Sequence, residues 1–132
     1  MSQENAEIVR RMYEATNRGD ADAAREALDP EIEIHLAGVF PDLERLYRGH
    51  AGVRKWVEQT REPWEELLVE PDRVIDLGAR VLVLAHFHVK GRDGIEVQRP
   101  VGHLWTMRNG QAVRMDAYSD HQKALKAAGL SE

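Results

Sequence analysis

The second half of the chain is a run of long strand-like segments separated by short turns, and this pattern restricts the fold more than any single motif. Segments rich in β-branched and aromatic residues occupy approximately residues 64–76, 80–90, 95–108 and 111–119. The sequences between them, "LGA", "GRDG" and "RNGQ", are typical of turns. This order predicts an antiparallel meander, which must bury one face against other elements.

The first part of the chain supplies two helices and one strand. Apolar residues recur at helical spacing over residues 8–16, and Gly19 then ends this helix. A second helix is predicted over residues 21–28. The segment 31–36 alternates in the manner of a short strand.

A third helix is predicted to begin at Gly49 and to end near Arg61, because Pro63 disfavours helical backbone before it. A loop through Pro41 precedes this helix, and a short helix over residues 121–128 closes the chain. Helices followed by a meander predict an α+β fold. We expect three helices of the N-terminal half to lie on one face of a curved antiparallel or mixed sheet.

Composition restricts the function classes. A chain of 132 residues with 42% hydrophobic residues is typical of one globular domain, here residues 1–132. The net charge of −5 includes no long block of Lys and Arg, which argues against a nucleic-acid partner. The chain has no cysteine, so disulfides and thiol chemistry are excluded. The charged amino terminus and the absence of a long apolar segment favour a cytoplasmic protein without a membrane partner.

Asn109 and Gly110 predict a two-residue hairpin loop, which sets an expected register for the last two strands. On the apolar face the facing pairs are Leu104 with Met115 and Gly102 with Ala117. On the other face they are His103 with Asp116 and Trp105 with Arg114. Symmetric closure of "GRDG" adds Phe87 and Ala85 to the apolar face, opposite Gln98 and Pro100. A bulge would shift the register by one residue and exchange the faces.

Four segments together resemble a known family. "NRGD" follows the first helix, "LDPEIEIH" forms the first strand, "YRGHAGVRKW" enters the third helix, and "GHLWTMRNGQAVRMDAY" spans the last hairpin. In this order they resemble the SnoaL-like, ketosteroid isomerase-like family of the nuclear transport factor 2-like superfamily, over nearly the whole chain. The resemblance implies a cone-shaped fold whose sheet and helices enclose a deep pocket for a small hydrophobic organic molecule, without a cofactor.

The resemblance also suggests a catalytic residue. His35 stands where the isomerases of this superfamily carry an aspartate at the end of the first strand, and a histidine titrates near neutral pH and can act as a base. The other acid, base and donor positions of the superfamily correspond here to Met12, Gly102 and Ala117, which cannot perform those roles. His35 is therefore the single catalytic candidate.

The expected substrate-binding residues come from two sources. Some lie on the predicted apolar face or on the inner stripe of the third helix, and others are polar residues that can reach inward. Together they are Tyr13, Tyr47, Trp56, Phe87, Gln98, Leu104, Met115 and Ala117.

The remaining histidines suggest other roles. His103 beside Asp116 resembles an oriented imidazole, but the predicted register places this pair on the outer face, which favours an interface or structural hydrogen bond. His86 and His88 have the spacing of a metal-binding pair, yet His103 is too distant along the sheet to complete a site. We therefore expect no metal.

Two function hypotheses follow. The first is a cofactor-independent acid/base enzyme of the isomerase, lyase, cyclase or hydrolase type that acts on a hydrophobic organic substrate. The second is a non-catalytic small-molecule-binding or dimeric interaction module. A homodimer through the outer sheet face is expected in either case, because large side chains on that face would otherwise be exposed. These are Leu82, Leu84, His86, His88, Val101, His103, Trp105 and Tyr118.

Overall fold

The computed structural model of the chain describes residues 2–36 and 44–130. The expected loop through Pro41 lies outside the described residues. These residues form four helices and six strands. In chain order they are α1 (Ser2–Asn17), α2 (Ala21–Glu26), β1 (Leu28–His35), β2 (Leu46–Arg48), α3 (Gly49–Arg61), β3 (Glu66–Asp76), β4 (Arg80–Lys90), β5 (Glu96–Arg108), β6 (Gln111–Tyr118) and α4 (His121–Ala127).

The strands form one sheet with the order β2-β1-β6-β5-β4-β3. β1 runs parallel to β6, and the other neighbouring strands are antiparallel, so the sheet is mixed. The predicted α+β class is confirmed. β2 was not predicted, because a three-residue strand carries no periodic pattern. Among the described helices, none combines the length and the apolarity needed to cross a bilayer.

The main core lies on the concave face of the sheet, which α1 and α3 cover. Each element contributes its inward residues at the spacing of its own periodicity. The buried members from α1 and the long strands are Val9, Met12, Tyr13, Ile32, Ile34, Val81, Val83, Ala85, Val101, Trp105, Met107, Met115 and Ala117.

A β-bulge displaces the last hairpin from the expected register. Asn109 and Gly110 both have positive φ, 54° and 77°, as the predicted turn requires. Beyond the turn Met107 faces Ala112, but Thr106 faces Arg114, so β6 carries one extra residue. The predicted pairings are therefore wrong. Trp105 faces Met115, His103 faces Ala117, and Leu104 faces Asp116.

The hairpin between β4 and β5 is also shifted by one residue. Lys90 faces Glu96, and Gly91 N–H donates to the Ile95 carbonyl at 2.8 Å, which makes the connection longer than the symmetric closure of "GRDG". Ala85 thus faces Val101, and Phe87 faces Arg99, instead of Pro100 and Gln98. Both shifts move the odd-numbered residues of β5 to the concave face.

The opposite, convex face of the sheet is partly covered by α4. A second core cluster joins Leu82, Leu84 and Leu104 of the sheet to Ala124 and Ala128 of the C-terminal segment. Leu82 and Leu84, which were expected to be exposed unless a dimer covered them, are instead buried under α4. Val101, His103 and Trp105, which were expected here, lie on the concave face.

Gly102 permits the close approach of α4 to the sheet. A Cβ atom built on Gly102 would overlap with the Cβ atom of Ala124, the buried alanine of the helix. The absence of a side chain at this position therefore sets the distance at which α4 packs.

We expect Gly102→Ala to lower the free energy of unfolding by about 1–3 kcal/mol, because an added methyl group overpacks this contact. Urea denaturation measures the change. Ala124→Gly alone should lower the free energy of unfolding by about 1 kcal/mol, because glycine has a lower helix propensity than alanine. The double variant should be less destabilised than the sum of the two single variants. Strict additivity would contradict the proposed steric contact.

Candidate functional site

A cavity of about 600 Å³ lies between the helices and the concave face of the sheet. Its walls come mainly from α1, α2 and α3, and the sheet contributes Leu28, Ile34, Val69, His103 and Trp105. A smaller cavity of about 70 Å³ shares Trp56 and His103 with the first. The volume falls in the usual range of small-molecule sites.

The cavity is apolar inside and charged only where its lining reaches solvent. Apolar lining residues include Met12, Leu28, Ile34, Val53 and Val57. The carboxylates among the described lining residues belong to Asp22 and Glu58, and both residues are exposed. The side chain of Asp22 is 87% exposed. Three lining arginines, Arg25, Arg54 and Arg61, add positive charge, so a ligand would meet a mainly apolar wall with guanidinium groups among its lining residues.

The polar groups of the interior form a chain of hydrogen bonds. Trp105 Nε1–H donates to the Tyr13 hydroxyl oxygen at 2.9 Å, and the Tyr13 hydroxyl lies 2.6 Å from His103 Nδ1. All three residues line the cavity and are at least 93% buried. The rings of Tyr13 and His103 are stacked, with centroids 5.9 Å apart.

These contacts determine the hydrogen positions. The indole nitrogen of Trp105 can only donate, so the Tyr13 oxygen accepts from it, and donation of the Tyr13 hydrogen to His103 Nδ1 is the arrangement in which the Tyr13 hydrogen also has a partner. His103 Nδ1 therefore accepts, and in the neutral imidazole the hydrogen lies on Nε2. Nε2 has no hydrogen-bond partner within the described chain and is not among its fully buried, unpartnered atoms. It is left to face the cavity as a donor.

Burial keeps this pair neutral. It lowers the pKa of His103 to about 4, so the imidazole carries no charge at neutral pH. Burial also raises the pKa of Tyr13 far above its ordinary value, against the smaller lowering effect of the hydrogen bond from Trp105. This pair thus presents dipoles and not charges to a bound molecule.

Trp56 offers a second donor. Trp56 lines both cavities, and its buried indole Nε1–H has no hydrogen-bond partner among the described residues. An unsatisfied buried donor costs about 1–3 kcal/mol, and because almost none of this nitrogen's surface is accessible, a ligand could reach it only after the side chain moves.

Several predicted binding residues lie at this site. Tyr13 and Trp56 line the larger cavity, and Phe87 lines the smaller one. Met115 and Ala117 lie on the concave face, where they are buried in the core beneath the cavity walls. These residues keep their expected face despite the change in register.

Other predicted binding residues lie elsewhere. Leu104 is on the convex face under α4, because the bulge reverses its orientation. Gln98 is exposed and pairs with His88 on β4. Tyr47 is buried in the core, and its hydroxyl donates to Gln59 Oε1 at 2.5 Å instead of reaching the cavity lining. All three were expected in the pocket, and none is part of its wall.

The expectation that His35 projects into the pocket is wrong. Ile32, Ile34 and Leu36 fill the concave side of β1, so His35 points to the convex side together with Glu33. Its Nε2 lies 2.8 Å from Glu33 Oε1, and its side chain is 26% exposed. The hydrogen bond from the imidazole lowers the pKa of Glu33. His35 cannot contact a molecule in the cavity.

His103 and Asp116 do not form a dyad. The bulge places them on opposite faces, with His103 in the cavity wall and Asp116 on the convex side. Asp116 instead accepts two hydrogen bonds from the guanidinium of Arg114, both at 2.9 Å. The sequence analysis named both residues but assigned His103 to the wrong face of the sheet.

Comparison with known proteins places the chain among similar folds. The model of the SnoaL-like domain family matches residues 9–115. The search of curated proteins finds no match. A protein of unknown function from Burkholderia pseudomallei, described as NTF2-like, is 28% identical over 93% of this chain and 95% of its own, with a TM-score of 0.79.

Two further solved structures share the fold at lower identity. TerC, co-crystallised with polyporic acid, is 23% identical over 96% of this chain and 97% of its own, with a TM-score of 0.81. A putative SnoaL-like polyketide cyclase from Jannaschia sp. CCS1 is 20% identical over 98% of this chain and 92% of its own, with a TM-score of 0.76.

The buried His103 predicts a loss of stability in acid. Its folded-state pKa is about 4, whereas an unfolded histidine titrates near about 6.5. Between these values the unfolded chain binds a proton that the folded chain excludes, so the free energy of unfolding falls as the pH drops. The full effect approaches about 3 kcal/mol.

Urea denaturation of the wild type and of His103→Gln at pH 7 and pH 4.5 isolates this contribution. The variant should lose about 2 kcal/mol less than the wild type over the same interval. Equal losses in both proteins would show that His103 is protonated as readily in the folded chain as in the unfolded one.

Proposed function

The chain belongs to the SnoaL-like domain family, and from this premise we propose that it binds a small hydrophobic organic molecule and acts on it as a cofactor-independent acid/base enzyme. The reaction is of the isomerase, lyase, cyclase or hydrolase type. The observation that carries the proposal is the neutral His103, held by Tyr13 in the wall of an apolar cavity with its Nε2 free for a ligand.

The cavity selects the class of ligand. Its apolar walls favour a largely hydrophobic molecule, and its volume of about 600 Å³ accommodates one of drug-like size. The free N–H group of His103 calls for an acceptor on that molecule. A carbonyl, enol or ether oxygen meets this requirement.

The chemical role proposed for His103 is that of a hydrogen-bond donor and not of a base. Its Nδ1 lone pair is already occupied by the Tyr13 hydroxyl. A neutral imidazole N–H can polarise a carbonyl and stabilise negative charge that develops on its oxygen. Such a donor is more effective in a water-poor cavity, because the low dielectric strengthens its interaction with charge.

Tyr13 and Trp105 would act as positioning residues. Their hydrogen bonds fix the imidazole tautomer and hold the ring in one orientation before a substrate binds. A donor oriented in advance needs no reorganisation during the reaction. This role differs from the one that the sequence had suggested for His35, which was that of a base.

The similar structures support a pocket with this use. TerC was co-crystallised with polyporic acid, and the Jannaschia protein is described as a putative SnoaL-like polyketide cyclase. The use of a small organic molecule is the part that we extend to this chain.

The alternative is a non-catalytic small-molecule-binding module. It is favoured by the position of the carboxylates, since Asp22 and Glu58, the two acids among the described lining residues, are exposed. Turnover of a compound that binds the cavity separates the two functions. Binding without any chemical change in the compound would favour the module.

Binding of paired probes tests the ligand class. An apolar ketone should bind more tightly than the hydrocarbon of the same shape, because only the ketone accepts a hydrogen bond from His103. Trp56 and Trp105 line the cavity, so their fluorescence reports occupancy. His103→Phe should weaken ketone binding about 10-fold and leave hydrocarbon binding nearly unchanged.

His35→Phe is the matched control, because it makes the same substitution on the convex face and should leave both affinities unchanged. Equal weakening of ketone and hydrocarbon by His103→Phe would contradict the donor role. So would an equal loss of ketone affinity in His35→Phe.

We also propose a homodimer, through a part of the convex face that differs from the apolar surface expected from the sequence. α4 leaves bare the part of the convex face around Glu33, His35, Arg114 and Asp116, where acidic and basic groups alternate. A two-fold axis through such a patch would bring opposite charges of the two copies together.

Light scattering at micromolar concentration should give twice the 15.0 kDa mass of the chain. Arg114→Glu should lower this mass toward that of the monomer, because it places like charges across the patch. Arg54→Glu, at an exposed position on α3, is the control and should leave the mass unchanged. A monomeric wild type would exclude the dimer.

A further inference from the structure

Three potential metal ligands meet on the convex face, on the side of the sheet opposite the cavity. Asp72 comes from β3, His86 from β4, and His121 begins α4. One ligand atom from each residue lies within 4.8 Å of those of the other two. The rings of His86 and His121 meet edge to face, with centroids 5.3 Å apart.

Irregular backbone brings these residues together. The register of β3 shifts between Pro71 and Arg73, so Asp72 is an extra residue that faces no partner on β4. Bulges of this kind redirect a side chain out of the regular pattern. Its carboxylate contacts His86 Nδ1 across the strand pair. α4 then begins directly above β4 and adds His121.

The hydrogen bond of His121 leaves one of its nitrogens available. Its Nε2 lies 2.8 Å from the Ala85 carbonyl oxygen, which can only accept, so the hydrogen is on Nε2. In the neutral imidazole Nδ1 then carries the lone pair. Metal-binding histidines typically have their second nitrogen fixed in this way by a carbonyl or a carboxylate.

We propose that Asp72, His86 and His121 form a binding site for a divalent first-row transition metal ion, with zinc as the ion to test. The ion takes the place of the hydrogen between His86 Nδ1 and the Asp72 carboxylate, and that hydrogen moves to His86 Nε2. His121 Nδ1 is the third ligand, and water completes the coordination. Two imidazoles and one carboxylate suit zinc and its neighbours better than calcium or magnesium, which prefer oxygen ligands.

The geometry requires only a small adjustment. Tetrahedral zinc with bonds of about 2.0–2.2 Å places its ligand atoms about 3.3 Å apart. Atoms now within 4.8 Å of one another must therefore approach by at most about 1.5 Å, which side-chain rotation can supply. The side chains of Asp72 and His86 are 34% and 33% exposed, so an ion can enter from solvent.

This set differs from the one considered in the sequence. In the sequence analysis His86 and His88 were considered as metal ligands together with His103, which lies on the other face of the sheet. Asp72 and His121 were missed because a bulge and the start of a distant helix supply them. The expectation of no metal rested on strand spacing alone.

Zinc should also stabilise the fold. The ligands come from three elements, so one ion would join β3, β4 and α4, and it would favour the folded chain in which they are assembled. This effect is independent of any reaction in the cavity.

Calorimetric titration of the full, untagged chain with zinc sulfate tests the site. We expect one ion per chain. Even the loss of a group that only orients a metal ligand costs about 10- to 100-fold in affinity. Asp72→Asn and His121→Gln should therefore each raise the dissociation constant by at least about 10-fold.

His35→Gln is the matched control, because His35 is also a convex-face histidine bonded to a carboxylate, that of Glu33. Within the described chain this pair belongs to no group of three potential ligands, and its loss should leave zinc binding unchanged. Thermal denaturation adds a second readout. Zinc should raise the Tm of the wild type and of His35→Gln, and should raise it less in Asp72→Asn.

The absence of zinc binding at millimolar zinc would overturn the proposal. Equal affinity in the wild type and in both ligand variants would overturn it as well, since the ion would then be bound elsewhere. Circular dichroism establishes that each variant is folded. If His121→Gln does not fold, Asp72→Asn decides the outcome alone, because Asp72 lies at an exposed bulge outside the core.

Discussion

The extra residue in β6 decides which side chains face the cavity, and most of the site depends on it. Without this residue, which lies between Ala112 and Arg114, Trp105 and His103 would face Arg114 and Asp116 instead of Met115 and Ala117. With it, His103 and Trp105 turn inward and reach Tyr13 on α1. The two hydrogen bonds then satisfy the buried Tyr13 hydroxyl, the Trp105 indole nitrogen and one of the two His103 ring nitrogens. A buried polar network is stabilising only when its members are satisfied in this way.

The sequence predicted the elements well and their register poorly. Long periodic segments such as α3 and β4 were placed within a residue or so of their observed bounds, because the pattern repeats many times in each. A hairpin loop fixes register only as far as the first bulge, and nothing in "RNGQ" indicates one. Charge was a usable signal, since Arg114 and Asp116 had to avoid the core. On β5, Trp105 and Met107 are bulkier than the residues that alternate with them. The charges on β6 and the bulk on β5 together would have favoured the orientation that the structure shows.

The two faces of the sheet offer different kinds of recognition. The cavity side holds neutral dipoles in apolar surroundings, where a single donor acts strongly because little water competes with it. The convex side holds histidines paired with carboxylates near solvent, where charge and coordination dominate. His103 belongs to the first environment and His86 to the second, although β4 and β5 are adjacent. Residue type alone does not separate these roles, whereas the direction of the side chain does.

The parallel pairing of β1 with β6 affects the order in which the molecule can assemble. β3, β4 and β5 are consecutive antiparallel neighbours, so they can pair through short loops soon after synthesis. β1 must instead wait for β6, the last strand of the chain, before its inner edge finds a partner. Ile32 and Ile34 therefore stay without their final neighbours until β6 has also left the ribosome. During that interval the exposed apolar residues of β1 can associate with other chains. The interval ends when β6 pairs with β1.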